Sequence, residues 1–154
     1  MRDTALELRV AQPADWPTVS RLLREAGLPE AGAREHLAGF ILAAHGDDVV
    51  GVAGLEVHTD EGLLRSVVVA PAARGTGLGQ RLVAAVILAA RARGLRGLTL
   101  LTETAPDYFP RFGFRPITRE AAPIALRASA EFREACTASA TVLRLELQQD
   151  QQDQ

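Results

Sequence analysis

Leu63-Leu64-Arg65-Ser66-Val67-Val68-Val69-Ala70-Pro71-Ala72-Ala73-Arg74-Gly75-Thr76-Gly77-Leu78-Gly79-Gln80 is the stretch on which the reading of the chain turns. Residues 63–69 are apolar and β-branched apart from Arg65 and Ser66, the composition of a buried strand. Pro71 breaks that run. Beyond the glycines, Leu78, Leu82, Val86 and Ala90 recur every fourth residue and Val83 and Ile87 widen the same face, which predicts a helix buried on one side. A strand, a glycine-rich turn and a helix start together aim several backbone N–H groups at one anion. Two common nucleotide loops are excluded by spelling. The mononucleotide loop requires a lysine, and all 17 basic residues here are arginine. The dinucleotide fingerprint requires a third glycine where Gln80 stands.

Working outward, Leu6–Val10 alternates as a first strand and Asp15 is a plausible N-cap for a helix that Gly27 stops. Residues 29–37 read as a short, weaker helix. Phe40–Ala44 and Val49–His58 read as two strands joined by a polar turn, with Gly51 and Gly54 as bulge or close-approach positions. Gly97–Thr102 is the fifth strand, Pro106–Phe112 a short helix closed by Gly113, and Phe114–Arg119 the sixth strand. Residues 120–140 are irregular with short helical turns. Thr141–Leu147 is a closing strand, and 148–154 a polar tail expected to fray.

Length and composition bound the function. With 154 residues, 47% of them hydrophobic, the chain suits one domain over residues 1–147 with its own core. A net charge of −2 gives no reason to expect a nucleic-acid partner. One cysteine, Cys136, excludes an intrachain disulfide. The apolar stretches are too short for a membrane span and residues 1–4 do not begin a signal peptide, so the expected location is cytoplasmic. His36, His45 and His58 show no metal-ligand spacing, and no metal is expected.

Two blocks in order carry a family resemblance. The first is Val67–Gly79, with Arg74-x-x-Gly77-x-Gly79 after the Val-x-Pro. The second is Leu100-Leu101-Thr102-Glu103-Thr104-Ala105-Pro106-Asp107-Tyr108-Phe109-Pro110-Arg111-Phe112-Gly113-Phe114. Together they resemble the GNAT family of N-acetyltransferases over roughly residues 6–147. The resemblance implies an α/β (α+β) fold: a central, mixed, mostly antiparallel sheet of six to seven strands with helices on both faces. It also implies acetyl transfer from acetyl-CoA to a primary amine. The pyrophosphate would rest on the N–H groups of the Arg74, Gly75, Thr76, Gly77, Leu78, Gly79 and Gln80 segment. The pantetheine arm would pair with the backbone of Val67, Val68 and Val69 where the fourth and fifth strands splay. A backbone N–H near Val69 would face the thioester carbonyl.

Side-chain chemistry is less legible. Many members of the family carry a tyrosine four residues before the glycine of the Gly-Phe pair, and here that position is Phe109. Tyr108 is the neighbouring candidate for an acid to the leaving thiolate, or else a packed tyrosine. Thr102 stands where asparagine is frequent. Candidate bases are Glu56, then Glu103 and His58; Glu103 has a competing reading as a helix cap. Arg65 interrupts an apolar strand, so it must meet an anion. Either it forks a substrate carboxylate or it pairs internally with Glu56 or another acid.

Within the family, Leu101–Ala105 with Tyr108-Phe109 and Gly113-Phe114 is similar to the acetyltransferase domain of N-acetylglutamate synthases. Gly51–Glu56, Leu63–Val67 and Ala128–Phe132 with Cys136 resemble the arsenic-resistance-associated N-acetyltransferases, departing at Thr137 where proline is expected. Both imply a small amino-acid-like amine as acceptor. A non-catalytic acetyl-CoA-binding regulatory domain and a protein acetyltransferase are the competing classes. A homodimer through an exposed closing strand is a further expectation.

Overall fold

A computed structural model describes residues 5–147. Seven strands form one mixed sheet in the order β1-β2-β3-β4-β5-β7-β6: β1 Leu6–Val10, β2 Phe40–His45, β3 Asp48–His58, β4 Glu61–Val69, β5 Gly97–Thr102, β6 Arg115–Ile117 and β7 Thr141–Glu146. Every neighbouring pair is antiparallel except β4 with β5. The crossover between those two is α2, Leu78–Ala92, the helix read from the fourfold spacing. Helices cover both faces, as the sequence predicts.

Strand alternation divides the core. Ala43, Ala53, Leu55 and Leu64 face α2 and pack with Leu78, Leu82, Val83, Val86 and Ala90. Phe40, Leu42, Val52 and Val68 face the other way, onto Val19, Leu22 and Leu23 of α1, Trp16–Glu25. Farther along that second face, Leu63 is covered by Ala122, Leu126 and Phe132. Phe132 belongs to a short helix α3, Ala130–Ala135.

Two irregularities in β4 matter for the site. Val52 pairs with Val68 but Gly54 pairs with Arg65, so Ser66 and Val67 together oppose Ala53. Ser66 has φ +60°, a left-handed torsion at the bulge. On the other edge, β4 pairs with β5 only at Glu61, Gly62 and Leu63. From Leu64 onward the two strands diverge, while β5 stays paired to β7 as far as Thr102.

Several expectations are corrected. Residues 29–37 form turns, with a single 3-10 turn at Leu37–Gly39 instead of a helix. Gly32 sits at φ +74°, and the carbonyls of Pro29 and Ala31 accept from Arg65 instead of from a following helical turn. The short helix after β5 is a 3-10 turn of Phe109–Phe112, and β6 is confined to Arg115–Ile117. Asp15 makes no side-chain cap on α1; its carboxylate holds Arg9 at 2.9 Å and the Gln12 N–H at 2.7 Å. The closing strand β7 lies between β5 and β6 instead of at the sheet edge, with β6 paired to it at Val142–Arg144. Residues 148–154, read as a polar tail, and residues 1–4 lie outside the described residues. No described helix is long and apolar enough to cross a membrane.

Candidate active site

The glycine corner is open. Gly75 and Gly77 adopt φ of +80° and +81°, and a Cβ on either would meet nothing within 4 Å. The left-handed torsion, not crowding, demands glycine there. Gly77 is the N-cap of α2 and offers no side chain, so the first N–H groups of the helix have no capping partner of their own. The Thr76 hydroxyl donates to the Ala73 carbonyl at 2.7 Å, and the Arg74 guanidinium to the Val69 carbonyl at 3.2 Å, which stiffens the turn. A concavity of about 240 Å³ lies over this corner, lined by Val69, Arg74, Gly75, Gly77, Leu78, Gly79, Gln80 and Tyr108. The Tyr108 hydroxyl comes within 3.3 Å of where a Cβ on Gly79 would stand. Burial pushes that hydroxyl above its usual range against a smaller pull from Arg111, so it stays protonated at neutral pH. Phe109 is buried in the core instead and also borders the larger cleft.

That larger cleft, about 450 Å³, opens where β4 and β5 diverge. Its walls are Leu64–Val67 of β4, Leu100–Thr102 of β5, the Ala26–Pro29 turn, Glu103–Ala105, and Glu131, Glu134, Ala135 and Thr137 from the irregular region. Val67 thus reaches the cleft and Val69 the concavity, while Val68 packs toward α1. The backbone edge of β4 past Leu63 has no strand partner on the β5 side.

Arg65 takes the internal alternative. Its side chain is fully buried, and Nη1 donates to Glu56 Oε2 at 2.7 Å and to the Ala31 carbonyl. Nη2 donates to the Pro29 carbonyl at 3.0 Å, and Nε to Ser66 Oγ at 2.9 Å. A guanidinium engaged on all three nitrogens has no fork left for a substrate carboxylate. The role expected for Arg65 as a substrate-binding residue is therefore replaced by one in holding Glu56, the Ala31 turn and the bulge together.

Glu56 is likewise closed off. It is fully buried and absent from the cleft wall. Its Oε1 accepts from Ser129 at 2.7 Å and from His58 at 2.8 Å, and His36 Nε2 lies 3.6 Å away. Burial alone would raise its pKa. The hydrogen bonds from His58, Ser129 and Arg65 and the charge of His36 outweigh that and hold the carboxyl below its usual range. Glu56 is thus a structural carboxylate with no access to an acceptor amine. His36, Glu56 and His58 also bring one donor atom each within 4.8 Å of one another, a grouping with metal-ligand chemistry that chain spacing did not reveal.

Glu103 does reach the cleft, where it accepts from the Thr137 hydroxyl. It does not cap the following turn; the Thr102 hydroxyl does so, accepting from Ala105 N at 3.0 Å. Ser129 caps α3, accepting from Phe132 N at 3.1 Å while it donates to Glu56. Sequence reasoning missed Glu131. Its side chain is 9% exposed, it borders the cleft, and its Oε1 accepts no hydrogen bond among the described residues. Arg65 Nη2 stands 3.3 Å from that oxygen, within ion-pair range but off the line of an N–H. The sequence signal was an acid two residues after a helix-capping serine, which reads as an ordinary first-turn acid.

The comparisons with known proteins agree with this geometry. Residues 36–116 match the acetyltransferase (GNAT) domain family. An amino-acid acetyltransferase of Neisseria meningitidis is 28% identical over 131 residues, which cover 79% of this chain and 30% of that protein. The N-acetylglutamate synthase of Neisseria gonorrhoeae, solved with coenzyme A and N-acetyl-glutamate, superposes with a TM-score of 0.80 at 25% identity. That match covers 96% of this chain and 36% of the synthase. A Mycobacterium tuberculosis protein solved with coenzyme A is similar in fold, with a TM-score of 0.71 at 24% identity over 92% of this chain and 99% of that one. The chain thus spans about a third of the length of its Neisseria relatives. On the match over more than half its length, joined to the uncapped glycine corner and the divergent β4–β5 edge, the chain belongs to the GNAT acetyltransferase family.

Proposed function

We propose that the chain moves an acetyl group from acetyl-CoA to the primary amine of a small, amino-acid-like acceptor by direct attack. The observation that carries this is the loss of β4–β5 pairing after Leu63. It leaves a strand edge free between the glycine corner on one side and the larger cleft on the other. The corner N–H groups and Arg74 would hold the diphosphate. The free β4 edge at Val67–Val69 would pair with the amides of the carrier arm, and an N–H there would stabilise negative charge on the carbonyl oxygen. In the transfer, the nitrogen lone pair of the neutral amine forms the C–N bond, the C–S bond breaks with its electron pair on sulfur, and the nitrogen loses one proton to solvent and keeps one N–H in the amide. Tyr108, whose hydroxyl stands over the start of α2, is the proposed donor to the leaving sulfur. The main contribution of the fold is to bring amine and thioester together.

The acceptor class rests on the relatives named amino-acid acetyltransferase and N-acetylglutamate synthase. A second reading comes from the cleft itself. It presents Glu103, Glu131 and Glu134, while its one arginine is consumed internally. That charge balance favours a cationic amine with no carboxylate. Purified chain, acetyl-CoA and a panel of L-glutamate, L-arginine, an arsenic-containing amino acid, agmatine and spermidine separate the two, read by thiol release and product mass. The arsenic-containing amino acid is included because of the resemblance of Leu63–Val67 and Ala128–Phe132 to arsenic-resistance-associated enzymes. Turnover of the amino acids supports the first reading, and turnover of agmatine and spermidine alone supports the second. Saturable acetyl-CoA binding with no thiol release would leave a regulatory domain.

A further inference from the structure

Among the carboxylates of this face, Glu131 stands apart in one respect. Glu56 has donors on both oxygens, and Glu103 holds Thr137. Glu131 is as buried as a core residue and borders a cleft large enough for a small molecule; its Oε1 is sealed 3.3 Å from Arg65 Nη2, and its Oε2 accepts no hydrogen bond among the described residues. A buried carboxylate oxygen left unsatisfied is costly unless something supplies a proton to it. The local structure holds it in that state. Ser129, fixed by its hydrogen bonds to Glu56 and Phe132 N, starts α3 and so sets where the next turn points. Phe132 is pinned in the apolar cluster with Leu63 and Leu126, which leaves its neighbour Glu131 at the cleft wall. Arg65 gives four of its five N–H groups to Glu56, Pro29, Ala31 and Ser66, and its Nη2 stands 3.3 Å from Glu131 Oε1 as an ion-pair partner.

We propose that Glu131 is the ammonium-binding group of the acceptor site and the base that takes the acceptor's proton before attack. This rests on the acetyltransfer reading and deepens it. A protonated primary amine entering the cleft donates one N–H to Glu131 Oε2, the oxygen of that carboxylate that is not sealed beside Arg65. The N–H bond then breaks with its electron pair left on nitrogen, and the proton forms an O–H bond on Glu131. The free lone pair is the nucleophile. The proton later passes to water through the open side of the cleft.

The charged surroundings suit the task. Facing Glu131 are Arg65 on β4, Glu56 on β3 with His36 and His58 behind it, Glu134 on the next turn of α3, and Glu103 across the cleft. Burial raises the Glu131 carboxyl most; Arg65 pulls it down, and Glu56 and Glu134 push it up again, with the result at about 7. A base with that pKa is half ionised near neutral pH and transfers protons efficiently there.

The test is the pH profile of kcat/KM for the best acceptor of the panel, in wild type and in Glu131→Gln, with acetyl-CoA affinity measured by calorimetry in both. Wild type should lose activity below an apparent pKa near 7. Glu131→Gln should lose on the order of 100-fold in kcat/KM, flatten that limb, and bind acetyl-CoA within about twofold of wild type, as expected for a residue away from the corner. Glu131→Ala, which does not depend on the shape of glutamine, should be partly rescued by added formate. A Glu131→Gln enzyme that keeps the acid limb in place, with less than about a fivefold loss, overturns the role of Glu131 while leaving acetyltransfer standing. Absence of acetyl-CoA binding by wild type overturns the functional reading itself, and this proposal with it. Wild type that binds acetyl-CoA but turns over no amine overturns the proposal too.

Discussion

Arg65 and Glu56 meet across the β3–β4 ladder at 2.7 Å with both side chains fully removed from solvent. The register places Gly54 opposite Arg65; the Phe40 ring fills the space a side chain on Gly54 would take, and the guanidinium carbon lies 5.8 Å from that ring's centre. The pair is the hub of this face of the sheet. Through Arg65 it fixes the carbonyls of Pro29 and Ala31, and through Glu56 it fixes Ser129, hence the start of α3.

Removing one partner should therefore be worse than removing both. Glu56→Gln leaves a buried guanidinium without its counter-charge and should cost about 3–5 kcal/mol of stability. The double substitution Glu56→Gln with Arg65→Met should regain part of that loss. Urea unfolding of the three proteins measures it. Equal loss in the single and the double variant would mean that Arg65 does not depend on Glu56.

If Arg65 acts only through this scaffold, Arg65→Lys should disturb acceptor and cofactor kinetics together, because lysine cannot span Glu56, Ser66 and two carbonyls at once. Steady-state kinetics with each substrate varied in turn settle the point. A large rise in acceptor KM alone would return Arg65 to carboxylate recognition.

At the glycine corner, Gly77→Ala forces a side chain into a left-handed torsion at roughly 1–2 kcal/mol and thickens the floor of the anion site. Acetyl-CoA affinity by calorimetry should fall about tenfold, with acceptor KM little changed. Unchanged acetyl-CoA affinity would mean that the diphosphate lies elsewhere.

Tyr108→Phe keeps the edge contacts with Phe109 and Phe112 and removes only the hydroxyl over α2. As donor to the leaving sulfur, Tyr108 should account for about 100-fold in kcat at constant acceptor KM. A change confined to acetyl-CoA binding would make it a wall of the cofactor site.

Stability should depend on pH in two opposite ways. Glu131 is raised from the usual 4.5 to about 7, so the folded protein binds that proton more tightly than the unfolded chain. Its contribution is full below about 4.5 and is lost as pH rises through about 7, on the order of 3 kcal/mol. Glu56 and Asp15 are lowered, so their contributions are present above the ordinary carboxylate range and are lost as the solution is acidified below it. Urea unfolding from about pH 4 to pH 9 should show the decline through neutrality in wild type and not in Glu131→Gln.

The elements that were legible in the chain were those with a short period. Leu78–Ala90 announced α2, the β-branched run announced β4, and the glycines announced the corner, because spacing, branching and φ preference are local properties. The predicted helix over 29–37 failed for a tertiary reason: two of its carbonyls turn inward to Arg65, which enters from β4. His36 and His58 looked unrelated and both converge on Glu56, His58 through the two-residue period of β3 and His36 through that turn. Arg65 was recognised as needing an anion, but which anion was open until the β3–β4 register put Glu56 beside it.

By itself the sequence determined the strand, glycine corner and helix around residues 63–92 and the need for a partner at Arg65, since each follows from the covalent properties of neighbouring residues. Only the tertiary structure decided that Arg65 is consumed internally, that Glu56 is sealed and that Glu131 borders the cleft with no hydrogen bond to its carboxylate among the described residues. Desolvation and unsatisfied hydrogen bonds depend on what other parts of the chain pack around a group, and no local spacing encodes that.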